Sequence, residues 1–332
     1  MQRVKSTDRE IISRMVKSAF AAALLAAAAL SAQQPQGMGG RGGPQSENLR
    51  QASQLFRDGK TAEALAAVKN ELEANPNSGA AANILDNLGA TAEARKVFQR
   101  MIDAAADPAA KANAQRSMAM SYAFDGDCRN TVKYEQMVIA YWQTQEQAAP
   151  QNAFYQEGEM ANEAARVCID SGDLENAAQW YRKGTELGLK EPEPKRNPAS
   201  LWNFRLEHAL GRLAARKGDR AEAAKHVAAA RKILDGDSGM AAQQERFFPY
   251  LTGYVALYTG DYKAAEADFT RMLSMPGNGN DPFMMCLLGM AYERLGEKDK
   301  TMEQYKKAAA APPTGHNPPA AFARPFTRKK LM

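Results

Sequence analysis

The sequence predicts an all-α chain built from stacked helix pairs, and three observations carry that prediction. Alanine dominates the 45% hydrophobic content while aromatics are only 8%, which suits closely packed helices better than one thick core. No sustained run alternates apolar and polar residues with the Val, Ile and Thr richness of strands. Seven glycines recur at intervals of 30, 37, 46, 46, 42 and 36 residues, each within the same local pattern.

From the beginning of the chain, Lys17 precedes twelve apolar residues, Ala19 to Leu30, followed by Ser31, Ala32 and Gln33. Basic, apolar, then small is the order of an export signal, and twelve residues are too few to span a bilayer. Residues 1–32 are therefore read as a signal peptide. The alternative, an Ala-rich amphipathic helix of the fold, lacks a polar face. The 14 residues before Met15 are unusually polar for such a signal, which puts Met15 beside Met1 as a candidate start. No Cys lies near the cleavage zone, so no lipid anchor is expected. The expected location is periplasmic or secreted, with no transmembrane helix in the mature chain. Residues 33–46, QQPQGMGGRGGPQS, read as a linker with nothing to bury. No strand precedes its glycines, so they do not form a phosphate loop.

The repeated pattern is aligned on Gly59, Gly89, Gly126, Gly172, Gly218, Gly260 and Gly296. Seven residues before each stands a small residue: Ala52, Ala82, Ala119, Ala165, Gly211, Gly253 and Gly289. Five after stands Ala64, Ala94, Thr131, Ala177, Ala223, Ala265 or Thr301, again small. Nine after stands Val68, Phe98, Glu135, Tyr181, Val227, Phe269 or Tyr305, six of them large and apolar or aromatic. A glycine closing the first helix can adopt the left-handed conformation that ends it. After Gly126, Gly172, Gly218 and Gly260 the next residue is Asp, a good N-cap for the second helix. Pro76, Pro108, Pro276 and Pro313 fall after second helices and stop them.

This order of small, glycine, small and large resembles the tetratricopeptide repeat, a helix–turn–helix unit of about 34 residues. The resemblance covers roughly Glu47 to Pro313 and is clearest in Leu288–Pro313 and Gly253–Pro276. It implies a right-handed α-solenoid of about seven repeats over residues 47–313, whose first helices line a concave groove. It also implies a binding scaffold rather than a catalyst. Leu187–Pro198 and Thr144–Asn152 read as insertions between units.

In such a stack, the first helix of the fifth unit places Trp202, Leu206, Leu210 and Leu213 on one face. Arg205, His208, Arg212 and Arg216 form a stripe on another. The stripe reads either as a solvated face or as a cationic surface for carboxylates, for which Arg offers a bidentate fork. The next first helix carries Phe247, Tyr250, Tyr254 and Tyr258 at the same spacing, as core or as a peptide-contact surface. Arg116, Asn162 and Arg166 occupy the corresponding face of the third and fourth units. Together these residues suggest a groove for an acidic or carboxylate-ended peptide.

Other chemistry is excluded or not expected. The net charge is +5, and residues 1–32 hold five Lys or Arg against two Asp or Glu, so the mature chain is nearly neutral. Bulk binding of a polyanion, nucleic acid included, has no support. His208, His226 and His316 lack metal-site spacing, and no nucleophile elbow, Walker loop or zincin motif appears. No cofactor, metal or catalytic residue is expected, and residues 235–239 read as a polar loop. Export places the cysteines in an oxidising compartment. Repeat stacking would put Cys128 and Cys168 at the turn edge of neighbouring units, so a disulfide is expected there, with Cys286 free and partly buried.

The tail, residues 314–332, contains Pro318, Pro319 and Pro325 together with Phe322, Phe326, Arg324, Arg328, Lys329 and Lys330. It is expected to be no continuous helix. It reads as an extended strap capping the last repeat through Phe322 and Phe326, or as a partner or membrane-surface motif. The functional expectation is an exported, non-catalytic scaffold that binds protein or peptide partners. The alternative is an envelope assembly protein acting through self-association or multi-partner tethering.

Overall fold

The computed structural model describes residues 46–332 apart from Thr314. The expected signal peptide, and the linker up to residue 45, lie outside the described residues. Ser46 belongs to the fold: its side chain caps the first helix by accepting from the Leu49 amide at 3.2 Å.

Among the described residues the chain is helical, with no strand, and makes seven helix pairs. These begin with α1 (Glu47–Arg57) and α2 (Thr61–Ala74), followed by α3 (Gly79–Leu88) and α4 (Thr91–Asp103). Next come α5 (Pro108–Phe124) with α6 (Cys128–Gln143), α7 (Pro150–Ser171) with α8 (Leu174–Leu189), and α9 (Ala199–Arg216) with α10 (Arg220–Gly236). A short α11 (Ser238–Gln244) and a single 3-10 turn lead to α12 (Phe248–Thr259) with α13 (Tyr262–Ser274). Then α14 (Pro282–Leu295) pairs with α15 (Lys298–Ala310), and α16 (Pro318–Leu331) follows. Each pair packs on the next, α4 on α5, α6 on α7, α8 on α9 and α13 on α14, which is the near-neighbour order of a solenoid.

The glycine register has a direct physical basis. All seven turn glycines have positive φ, from +69° at Gly126 to +92° at Gly172, a region that side chains with a Cβ rarely enter. Asp127, Asp173, Asp219 and Asp261 each cap the following helix, accepting an amide at 2.9 to 3.2 Å. The small and large positions meet in the pair interior. A Cβ on Gly253 would stand 2.7 Å from Cε1 of Phe269, and one on Gly289 would stand 2.5 Å from Cε1 of Tyr305. Glu135 is the exception at the large position. It is fully buried and neither carboxyl oxygen has a hydrogen-bond partner. Burial, then the nearby Glu163 carboxylate, pushes its pKa well above the ordinary 4.5 against the pull of Arg116.

Cys128 opens α6 and is joined to Cys168, near the end of α7, with Cα atoms 4.8 Å apart. Cys286 is a free, buried thiol, and burial raises its pKa. Residues 235–239 are no free loop: α10 runs to Gly236, and Asp237 caps α11, accepting from the Met240 amide at 3.0 Å.

The tail corrects a second expectation. It is helical rather than extended, because Pro318 and Pro319 fall in the first turn, where a missing amide hydrogen leaves no helical bond unmade. Asn317 caps the helix, accepting from the Ala320 amide at 3.0 Å. Phe322 and Phe326 do meet the last pair, at ring-centroid distances of 5.4 Å to Phe283 and 5.5 Å to Tyr305. The helix reaches much further, however, packing on α3, α5 and α7 as well as on α14 and α15.

Candidate functional site, a cationic and aromatic layer between helix pairs

The two stripes read from the sequence face each other. The inserted α11 and the 3-10 turn bring α12 directly onto α9, so the tyrosines of one meet the arginines of the other. Arg212, 4% exposed, donates from Nη1 to the Tyr250 hydroxyl at 2.7 Å and from Nη2 to Tyr181 at 3.1 Å. Its Nε donates to the His208 carbonyl at 3.3 Å. Arg216 repeats the motif one turn on, donating to the Tyr254 hydroxyl at 3.2 Å, with its guanidinium 4.9 Å from the Tyr258 ring centroid. Burial raises the pKa of Tyr250, Tyr254 and Tyr258 above the ordinary 10.0 despite the arginines, so all three stay neutral hydroxyls.

His208 stands between Phe204 and Tyr250 and meets the Phe247 carbonyl through Nε2 at 3.2 Å. Burial, then the charges of Arg212 and Arg166, hold its pKa well below 6.5, so the ring is neutral and Nε2–H donates. Arg205 pairs with Glu159 and lies 5.1 Å from the Trp202 ring. Arg116 makes a fork to Glu163, with Nε at 2.9 Å and Nη2 at 2.5 Å. Asn162 lies over Gly184, where a Cβ would stand 2.7 Å from its Oδ1.

Arg166 differs from its neighbours. Its Nε reaches Asp170 at 3.3 Å, and its guanidinium sits 4.2 Å from the Phe283 ring centroid. Its Nη2 is buried and has no hydrogen-bond partner. Beside it opens a cavity of about 260 Å³ lined by Glu159, Asn162, Arg166, Arg205, His208, Arg212 and Tyr250, with Tyr181, Phe204, Gln244 and Phe247.

Six of the residues expected from the sequence therefore line one cavity: Asn162, Arg166, Arg205, His208, Arg212 and Tyr250. Arg216, Tyr254 and Tyr258 extend the layer along α9 and α12, and Arg116 lies one pair away, bound to Glu163. The cationic stripe is neither a solvated face nor an open row of donors, since most of its hydrogen bonds are made within the protein. Glu159, Glu163 and Asp170 escaped the sequence reading although their spacing places them beside Asn162 and Arg166 on α7. Tyr181 and Phe283 escaped because they come from a second helix and from a more distant pair. Among the described residues no cluster of His, Cys, Asp and Glu could hold a metal ion.

Residues 158–187 and 250–316 each match a model of the tetratricopeptide repeat. The first span runs through most of α7 and α8, and the second from Tyr250 in α12 to His316 just before α16. No curated protein matches the chain. With the small, glycine, small and large order realised in stacked helix pairs, the chain contains tetratricopeptide repeats.

Proposed function

We propose that this chain is an exported, non-catalytic scaffold that takes an acidic or carboxylate-ended segment of a partner protein in the cavity between α7, α9 and α12. Tetratricopeptide repeats are protein-interaction modules, and the finer reading rests on Arg166. A buried guanidinium donor without an acceptor carries a desolvation cost of about 1–3 kcal/mol, and a carboxylate in the adjoining cavity would remove it. Arg205 and Arg212 add positive charge to that lining, and Arg205 can turn from Glu159 toward a ligand because both side chains are partly exposed, at 25% and 23%. The Cys128–Cys168 bond supports export, since such bonds persist in oxidising compartments.

Fluorescence anisotropy with a labelled library of acidic peptides, each as free acid and as C-terminal amide, tests the reading. Free acids should bind at least tenfold more tightly than their amides, and Arg166→Gln should abolish that difference. Equal binding of both forms by the wild-type protein would count against carboxylate recognition. Export is checked by mass analysis of a non-reduced digest of the natively isolated protein. Finding both Cys128 and Cys168 as free thiols would count against an oxidising compartment.

A further inference from the structure

We propose that the surface formed by α3, α5, α14 and the end of α15 is a second protein-binding site, one for a basic helix, and that α16 is its resident ligand rather than part of the repeat stack. The site accepts in trans a helix of the same chemistry once α16 leaves. The observations concern what α16 touches, how it is held, and what it would be alone.

The contacts run to the first helices, not only to the end of the stack. α16 packs on α3, α5 and α7 across the molecule from α14 and α15. The chain segments joined in this way are distant in sequence: Asn87 Nδ2 donates to the Gly315 carbonyl at 3.1 Å across 228 positions. A terminal cap would cover only the last pair.

Most polar anchors have one sense, a cation or imidazole from the tail on acceptors of the surface, while Asn87 Nδ2 and Cys286 Sγ donate in return to the Gly315 and Ala323 carbonyls. Arg324, 3% exposed, donates Nε to Asn87 Oδ1 at 3.0 Å. Its Nη1 reaches the Ala308 and Ala309 carbonyls at 3.2 and 2.8 Å, and its Nη2 the Ala311 and Pro312 carbonyls at 2.6 and 2.7 Å. Arg324 thus caps the C-terminal end of α15, where the helix dipole favours a cation, and it stacks 5.0 Å from the Phe56 ring. Arg328 donates to the Asn87 carbonyl at 3.0 Å, at the C-terminal end of α3. His316 meets the buried Asp86 at 2.8 Å, and Lys330 meets Glu293 at 2.5 Å.

The apolar contact is made by small residues and two phenylalanines: Ala320 and Ala321 join Met120, Phe124 and Val167, and Ala323, Phe322 and Phe326 join Phe283 and Met284. The face that α16 buries is mostly Pro318, Ala320, Ala321, Ala323 and Thr327. Against α5 and α7 the seam leaves a cleft of about 270 Å³, bounded by Phe124 and Val167 on one side and by Ala321, Phe322 and Phe326 on the other. Pro325 interrupts the helix interior and removes one of its hydrogen bonds. A 14-residue segment with an internal proline does not hold a helix alone in water, so α16 is helical because it is docked. Folding coupled to docking, and polar anchors that mostly run from tail cations to acceptors of the surface, are the properties of a bound peptide.

The test keeps the full chain. A protease site placed at Pro312–Pro313 is cut in the folded protein, and the nicked product is mixed with a fluorescent peptide of residues 316–332. The labelled peptide is expected to exchange into the nicked protein while far-ultraviolet circular dichroism shows the repeats intact. The same peptide carrying Arg324→Ala should compete at least tenfold more weakly, and a scrambled peptide of identical composition should not compete. Uncut protein should take up no label, because the site is filled. The proposal is overturned if nicked protein never exchanges at temperatures where the repeats stay folded. It is also overturned if cutting unfolds the repeats, or if the scrambled or Arg324→Ala peptide competes as well as the native one. These outcomes are independent of carboxylate binding at Arg166, which is read with acidic peptides.

Discussion

The hydroxyl of Tyr250 on α12 accepts a 2.7 Å hydrogen bond from Nη1 of Arg212 on α9, while Nη2 of the same guanidinium serves Tyr181 on α8. One planar fork thereby fixes three helices from three different elements of the stack. A Lys at this place is a point charge on a flexible stem and cannot serve both hydroxyls in that geometry. Arg212→Lys should therefore destabilise the protein by about 1.5–3 kcal/mol, the contribution of a hydrogen bond to a charged group. Tyr250→Phe, which removes only one acceptor, should cost less than that. Urea unfolding of the two variants checks the order; an unchanged midpoint for Arg212→Lys would show that the fork carries no stability.

The pair interior gives a second prediction. A methyl group on Gly289 would stand 2.5 Å from Cε1 of Tyr305, whose ring is 1% exposed and has no room to retreat. Gly289→Ala should cost about 1–3 kcal/mol, the usual cost of overpacking, against the small gain expected from alanine's helix propensity. Thermal unfolding is the measurement. In Gly289→Ala combined with Tyr305→Leu much of the loss should be recovered, because the smaller side chain returns the space.

The repeats were legible because their signal is local. The glycine that ends a helix, the aspartate that caps the next and the small residues at the contact all lie within about sixteen positions of one another. The spacing of Arg205, His208, Arg212 and Arg216 likewise showed correctly that they share a face. It could not show what that face meets, because that depends on how the inserted α11 and 3-10 turn bring α12 onto α9. The tail was misread for the same reason. Its prolines argue locally against a continuous helix, whereas the helix is stabilised by Asn87 and Asp86, more than two hundred positions away. Glu135 was visible as the one acidic residue at a large apolar position, and the structure shows it buried there with neither carboxyl oxygen hydrogen-bonded.

That misfit is itself testable. A buried carboxylic acid with no hydrogen bond carries a desolvation cost of about 1–3 kcal/mol that an apolar side chain of similar size does not. Glu135→Leu should raise the stability by an amount of that order at neutral pH, restoring the apolar residue that the other units place there. Glu135→Gln should gain much less, since it keeps polar atoms in the same dry position. Chemical denaturation at pH 7 distinguishes the two; a destabilised Glu135→Leu would mean that the carboxyl group holds a partner in solution.

Two buried groups bend the pH dependence of stability in opposite directions. His208 has a native pKa well below 6.5, so below about pH 6.5 the unfolded chain binds a proton that the native one refuses. Its effect is absent above that pH and becomes destabilising as the solution is acidified. Glu157, fully buried with neither oxygen hydrogen-bonded, is pushed up to about 7 by burial and then by the Glu146 carboxylate. Its native state holds the proton that the unfolded chain releases above about 4.5, so its contribution is full below pH 4.5 and is lost as pH rises to about 7. Each group changes stability by at most about 1.4 kcal/mol per pH unit within its own window. Urea midpoints at pH 5, 6, 7 and 8 should therefore separate them. His208→Gln should reduce the acid-side fall in stability, and Glu157→Gln should raise the midpoints at pH 7 and 8 relative to pH 5. If Glu157→Gln shifts all four midpoints equally, the carboxyl group does not titrate in that window and its burial is not what sets its charge.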